Sequence, residues 1–198
     1  IWAYARGYEA QVGSTKYTML ENAIKKASAG STVEIIASSL DTVSNDISKT
    51  LTITSTQSTK ITWDKTRQSS ASDAMFNISG SATVTFGGSY TITLSGDTTS
   101  GSQSEPQRAI YISGTSATCN LSSVTIQNFK NIQCDGMAVY VSSGSNKLNI
   151  NSPFTCMDNE SDNGGGIYVG AGGSVTMSGG TITGNNANSS GGGICLSN

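Results

Sequence analysis

The chain contains no histidine. That absence removes His-ligated metals, Ser–His and Cys–His nucleophile pairs, and imidazole acid–base chemistry. Charge is scarce as well: Asp, Glu, Lys and Arg make up 12% of the 198 residues, about half the usual share. The net charge is -2, the pI is near 5.0 and no basic cluster occurs, which argues against nucleic-acid binding. No apolar run approaches the roughly 18 residues of a membrane span, so no membrane insertion by this segment is expected. Hydrophobic residues reach only 35%. Their place is taken by Ser, Thr, Gly and Asn, which together fill nearly half the chain. The sequence opens at Ile1 with no methionine and no basic-then-apolar leader, so a processed or trimmed chain is expected.

Thr18-Met19-Leu20-Glu21 has the spacing of a capping box. Behind it Leu20, Ala23, Ile24 and Ala27 put one apolar stripe on a helix, with Lys25 and Lys26 near its C-terminal end and Gly30 beyond it. A short amphipathic helix is predicted over Thr18–Ala29, within an N-terminal cap spanning residues 1–32. Val33-Glu34-Ile35-Ile36 should be the first strand of a second region, residues 33–198.

That region repeats. Ala109-Ile-Tyr-Ile112, Ala138-Val-Tyr-Val141, Gly166-Ile-Tyr-Val169 and Gly193-Ile-Cys-Leu196 start 29, 28 and 27 residues apart. An earlier copy, Phe76-Asn77-Ile78, stands 34 residues before Ile112, with extra length in an Asp97–Arg108 loop. Two further short strands follow in each unit, such as Cys119-Asn-Leu121 and Val124-Thr-Ile126, then Leu148-Asn-Ile150 and Phe154-Thr-Cys156. A looser first copy uses Ile35, Leu51–Ile53 and Ile61–Trp63. A unit this small cannot bury its own apolar face, so the units must stack, one strand spacing of about 4.8 Å per step. The pattern predicts a parallel β-solenoid of about five coils, three short strands per coil, all-β except for the capping helix. Period-two alternation points Ile110/Ile112, Val139/Val141, Ile167/Val169 and Ile194/Leu196 inward, together with Val84, Cys119, Leu148 and Val175.

Asn163-Gly-Gly-Gly-Ile-Tyr-Val169, the Gly173–Asn186 stretch and Ser190-Gly-Gly-Gly-Ile-Cys-Leu196 resemble the right-handed parallel β-helix repeats of bacterial surface proteins. These include adhesin-like proteins and the polymorphic outer-membrane autotransporter passengers. The Gln11–Ala27 segment is similar to the cap that opens such helices. The resemblance spans essentially the whole chain. It implies a right-handed β-helix that is secreted or displayed at a cell surface, with an extracellular glycan or a host or matrix protein as partner. Natural solenoids cover an open end, so further coils or a partner are expected over the C-terminal rung.

Several rows on the solenoid bear on function. The outward positions of the first strand read Asn77, Tyr111, Tyr140, Tyr168 and Cys195, and the three tyrosines are the candidate ligand-binding residues. Tyrosine also simply suits a pleated, half-buried surface. Acid–base glycosidic cleavage needs two carboxylates about 5–10 Å apart. Asp158, Glu160 and Asp162, with Asp135 one coil away, are the nearest approach to such a set. No Lys or Arg lies in that loop, so a solvated turn is the simpler reading, beside a weak calcium site through those oxygens. No catalytic residue, metal ligand or cofactor is assigned. Cys119 and Cys156 read as core hydrophobes, Cys134 as a turn residue and Cys195 as the outward successor of the tyrosines, all free thiols by spacing. A row of Thr62, Thr93, Thr125, Thr155 and Thr181 on the third strand has the arrangement of an ice-binding face, although threonine also suits strands in general. Sequons at Asn77, Asn120, Asn159 and Asn188 are expected by chance in such a composition. The leading expectation is a non-catalytic adhesion or spacer module. A carbohydrate-binding module, a carbohydrate-active enzyme fragment and ice binding are the alternatives.

Overall fold

The structure, a computed structural model, describes residues 7–64, 74–96 and 108–197. Most of the Asp97–Arg108 loop lies outside them.

The short strands stack into a parallel β-solenoid of about five turns. Sheet A runs through Thr32–Ile35, Leu51–Ser55, Thr83–Phe86, Thr118–Leu121, Lys147–Ile150 and Ser174–Met177. Sheet B takes Ser39–Thr42, Thr59–Trp63, Ile92–Ser95, Val124–Gln127, Phe154–Met157 and Thr181–Thr183. Sheet C takes Asn45–Ile47, Ala74–Ile78, Arg108–Ile112, Val139–Val141, Ile167–Val169 and Ile194–Leu196. The chain visits A, B and C in turn, so each strand pairs with its equivalent one coil away. The first copy is not built as the sequence suggested. The strands that hold Ile35 and Leu51 are neighbours in sheet A, one coil apart, and the missing strands of the first coil are Ser39–Thr42 and Asn45–Ile47.

A fourth sheet, D, was not anticipated: Lys130–Asn131, Glu160–Asn163 and Asn186–Ser190 pair in parallel at the corner between B and C. The Asp158–Asp162 stretch is therefore partly strand rather than loop.

Inward side chains form one continuous core. Ile110, Ile112, Val139, Val141, Ile167, Val84, Cys119 and Leu148 are fully buried, as expected, and Val169 nearly so. Burying an apolar side chain of this size contributes about 1.5–3 kcal/mol, and stacking repeats it on every rung. Val175, Ile194 and Leu196 hold the inward register but belong to the last rung, which has a neighbour on one side only. Ile194 and Leu196 are consequently 37% and 67% exposed.

The other end is covered. A hairpin of Ala10–Val12 and Thr15–Tyr17 lies antiparallel on Thr32–Ile35. Helix α1 (Leu20–Lys26) buries Leu20, Ala23 and Ile24 against the core, and Ala27 follows them just past its end. The helix is shorter than Thr18–Ala29, and the capping box does not form: the cap residue is Met19, with no side-chain cap bond. Instead the Leu20 N–H donates to Oε2 of Glu9, 2.9 Å away on the hairpin side. At the far end Lys49 Nζ donates to the carbonyls of Lys25 and Ala27 at 2.9 and 2.6 Å. A long-range carboxylate and a long-range ammonium thus replace the local caps and match the helix dipole at both ends. Among the described residues no helix is long and apolar enough to cross a membrane.

Candidate functional site

The glycine triplets set the entry into sheet C. Gly164 sits at φ +61°, a left-handed conformation that only glycine adopts without strain. Gly165 lies where a Cβ would meet the carbonyl oxygen of Asn186 at 2.2 Å, so the backbones of successive coils touch at this corner. This tight turn delivers Ile167-Tyr168-Val169 in register with Val139-Tyr140-Val141 below and Ile194-Cys195-Leu196 above.

The outward row of sheet C reads Asp46, Asn77, Tyr111, Tyr140, Tyr168, Cys195 in strict register. The structure therefore brings the three candidate tyrosines together. Tyr140 and Tyr168 stack with centroids 4.9 Å apart and ring planes 19° from parallel. Tyr111 meets Tyr140 edge to face at 5.3 Å and 82°. Arg108 was not singled out in the sequence, yet its guanidinium lies 4.5 Å from the Tyr140 centroid and 5.6 Å from that of Tyr111. It is nine-tenths buried, and its Nε donates to the Asp135 carbonyl at 2.8 Å. Its signal was present in one detail: it directly precedes the first Ala-Ile-Tyr-Ile repeat. Burial raises the Tyr140 phenol above its ordinary pKa, and the neighbouring Tyr168 adds to this while Arg108 opposes it. At the lower end of the row Asn77 donates to Asp46 Oδ1 at 2.9 Å and accepts from Ser113 Oγ at 2.6 Å.

This geometry limits what the row can do. Tyr140 is engaged by the stacked ring of Tyr168 and by the Arg108 cation, so a ligand would meet mainly ring edges and hydroxyls. Cation–π contacts of this kind contribute about 0.5–2 kcal/mol and aromatic pairs about 0.5–1.5 kcal/mol.

Three of the four candidate carboxylates, Asp135, Glu160 and Asp162, are bound by groups of the next coil. Asp135 Oδ1 accepts from the backbone N–H and the Nδ2 of Asn163 at 3.2 and 3.0 Å. Asp162 accepts from Ser189 Oγ at 2.7 Å and from Asn163 Nδ2 at 3.2 Å. Glu160 Oε1 accepts from Asn186 Nδ2 at 3.3 Å. Asp158 turns the chain at φ +57° and is exposed. Among the described residues no three acidic or cysteine side chains gather as metal donors.

The threonine row differs from expectation. Thr93, Thr125, Thr155 and Thr181 do align, but Lys60 stands opposite Thr93, and Thr62 is displaced two residues along, beside Ser95 and Asp41. Leu40, Ile61 and Leu94 pair inward in this register. A shift of two residues leaves the buried set unchanged, so hydrophobic alternation cannot distinguish the two registers. The parallel outward row carries Gln127 and Met157 next to Thr183. Neither row is threonine throughout.

Two asparagines whose role sequence reasoning missed, Asn159 buried and Asn185 partly buried, hold the turn after sheet B. Asn159, 1% exposed, accepts from the Phe129 N–H at 3.0 Å and donates to the Ile126 carbonyl at 3.2 Å and to Asn185 Oδ1 at 2.8 Å. Asn185 repeats the arrangement one coil on, accepting from the Asn159 N–H at 3.0 Å and donating to the Cys156 carbonyl at 2.9 Å. Of the sequons, Asn159 is buried and Asn77 and Asn120 are tied into side-chain ladders, while Asn188 is exposed. All four cysteines are free, Cys119 and Cys156 buried in the core and Cys134 and Cys195 partly exposed. Burial pushes both core thiols up, Cys156 to about 12 against hydrogen bonds from Asn159 and Asn185 that pull it down. No family model, no curated protein and no solved structure matches this chain.

Proposed function

We propose that this chain is a non-catalytic segment of a secreted or surface-displayed β-solenoid, working as an adhesion or spacer module. The observation that carries the reading is the use made of the polar groups. Carboxylates that an acid–base pair would need free are bound rung to rung: Asp135 by Asn163, Asp162 by Ser189, Glu160 by Asn186. On sheet A, Asn149 donates to Asn120 at 2.9 Å and Asn120 to Thr85 at 3.0 Å. Such ladders stiffen a rod and present the same chemistry at every step of about 4.8 Å. The likeness of the Gly-Gly-Gly-Ile repeats to bacterial surface proteins supports the extracellular placement.

A second reading, a carbohydrate-binding module, is favoured by the Arg108–Tyr140 pair, a fixed cation beside a row of phenols. It places a glycan across the hydroxyl edge of Tyr111, Tyr140 and Tyr168, and Tyr140→Ala then weakens retention while folding is intact. Incubation with neutral and acidic polysaccharides separates both readings from an enzyme. Polymer length should stay unchanged. Cleavage that disappears in Asp158→Asn or Asp162→Asn would replace the proposal with a carbohydrate-active β-helix.

A further inference from the structure

The tyrosine row has a chemical capacity that neither spacing nor adhesion uses. Tyr140 and Tyr168 occupy equivalent positions on adjacent parallel strands, and their rings are nearly parallel at 4.9 Å. Both side chains are partly exposed, so a diffusing oxidant can reach their edges. Tyr111 makes a poorer partner, because an 82° approach points the edge of one ring at the face of the other. The Arg108 guanidinium also lies against both of those rings.

We propose that Tyr140 and Tyr168 form an oxidative cross-linking site, at which a peroxide-driven one-electron oxidant of the peroxidase class joins the two rings. Each phenol gives up one electron to the oxidant and its O–H proton to water. The two phenoxyl radicals couple through a carbon–carbon bond between positions ortho to oxygen. The hydrogen on each coupled carbon then moves to its own oxygen, restoring two aromatic phenols. The two electrons and two protons released reduce one hydrogen peroxide to two waters.

The product is a covalent staple between neighbouring coils in a chain whose four cysteines are all free. It closes a loop between positions 28 apart in sequence and restricts the unfolded chain as a disulfide would. Cys195, next in the same row, is the competing reductant. Its thiol donates hydrogen to a Tyr168 radical and diverts it from coupling.

The test uses the whole chain at high dilution with a haem peroxidase and limiting hydrogen peroxide. Trypsin cuts after Arg108, Lys130 and Lys147, so the three tyrosines fall on separate peptides. The expected product is a monomer in which the peptides carrying Tyr140 and Tyr168 are joined, lighter by two hydrogen atoms and fluorescent as a bityrosine. It should vanish in Tyr140→Phe and in Tyr168→Phe, persist in Tyr111→Phe and rise in Cys195→Ser, with circular dichroism confirming that each variant folds. Coupling only between molecules, through the exposed Tyr8 or Tyr90, would overturn the proposal. So would a Tyr111–Tyr140 link in equal amount, or the same yield from the chain unfolded in guanidinium.

Discussion

Replacing Asn159 by alanine should destabilise the solenoid far more than its position in a polar, sequon-bearing turn suggests. The side chain is 1% exposed and is the acceptor for the Phe129 N–H at 3.0 Å. Truncation leaves that buried donor without a partner, a loss of about 1–3 kcal/mol. Asn185 also loses the amide that donates to its Oδ1 at 2.8 Å, which places the expected value in the upper half of that range. For a chain of this length each kcal/mol lowers Tm by about 2–4 °C, so a fall of about 4–12 °C is expected. Urea unfolding followed by circular dichroism measures it, with the slope compared as well as the midpoint because repeat arrays can unfold in parts. Asn188→Ala, at an exposed position, is the control and should stay within about 0.5 kcal/mol of the parent. A change for Asn159→Ala as small as the control's, at equal slope, would refute the assignment of this asparagine as a buried ladder residue.

The helix cap should respond to Glu9→Ala, with a loss of about 0.5–2 kcal/mol, because the Leu20 N–H donates to that carboxylate. Thr18→Ala should be nearly neutral in the same melt, and the reverse ranking would restore the local capping box. Gly165→Ala forces a methyl to within 2.2 Å of the Asn186 carbonyl oxygen and should cost at least about 1–3 kcal/mol. Gly7→Ala, where nothing lies within 4 Å of the added Cβ, should leave the urea midpoint unchanged. In the native state a thiol reagent at neutral pH should label Cys195 and Cys134 and spare Cys119 and Cys156, with all four labelled in guanidinium. Folded Cys156 keeps its proton up to about 12, whereas the unfolded thiol ionises near 8.5. The unfolded chain then binds fewer protons, so stability falls as pH rises through that window, and Cys156→Ala should flatten the alkaline slope in pH-dependent melts.

The solenoid was legible because its core residues alternate and recur near a fixed period, and the tyrosine row followed from four copies of one short strand. Features carried by polar or distant groups were not. Glu160-Ser-Asp-Asn163 contains no apolar residue, so nothing in its alternation announced sheet D. Ser39–Thr42 and Asn45–Ile47 offer only Leu40 and Ile47 as strong apolar residues, and the first coil was misplaced accordingly. Thr62 slipped by two because an even shift preserves the buried face. Glu9 caps a helix eleven residues away, a contact that local capping rules do not reach. Arg108 and Asn159 owe their roles to neighbours about one coil away, and the sequon at Asn159 says nothing of its burial.

The central functional claim is that the chain recognises or spaces without cutting, with any recognition placed on the sheet C row. A screen against glycans and matrix proteins, comparing the parent with a Tyr111→Ala, Tyr140→Ala and Tyr168→Ala triple variant of equal helical and strand content, tests it most directly. Every polymer left intact, with any retention by the parent lost in the variant, is the predicted result. Equal retention by both proteins, or release of shortened polymer by either, would contradict it.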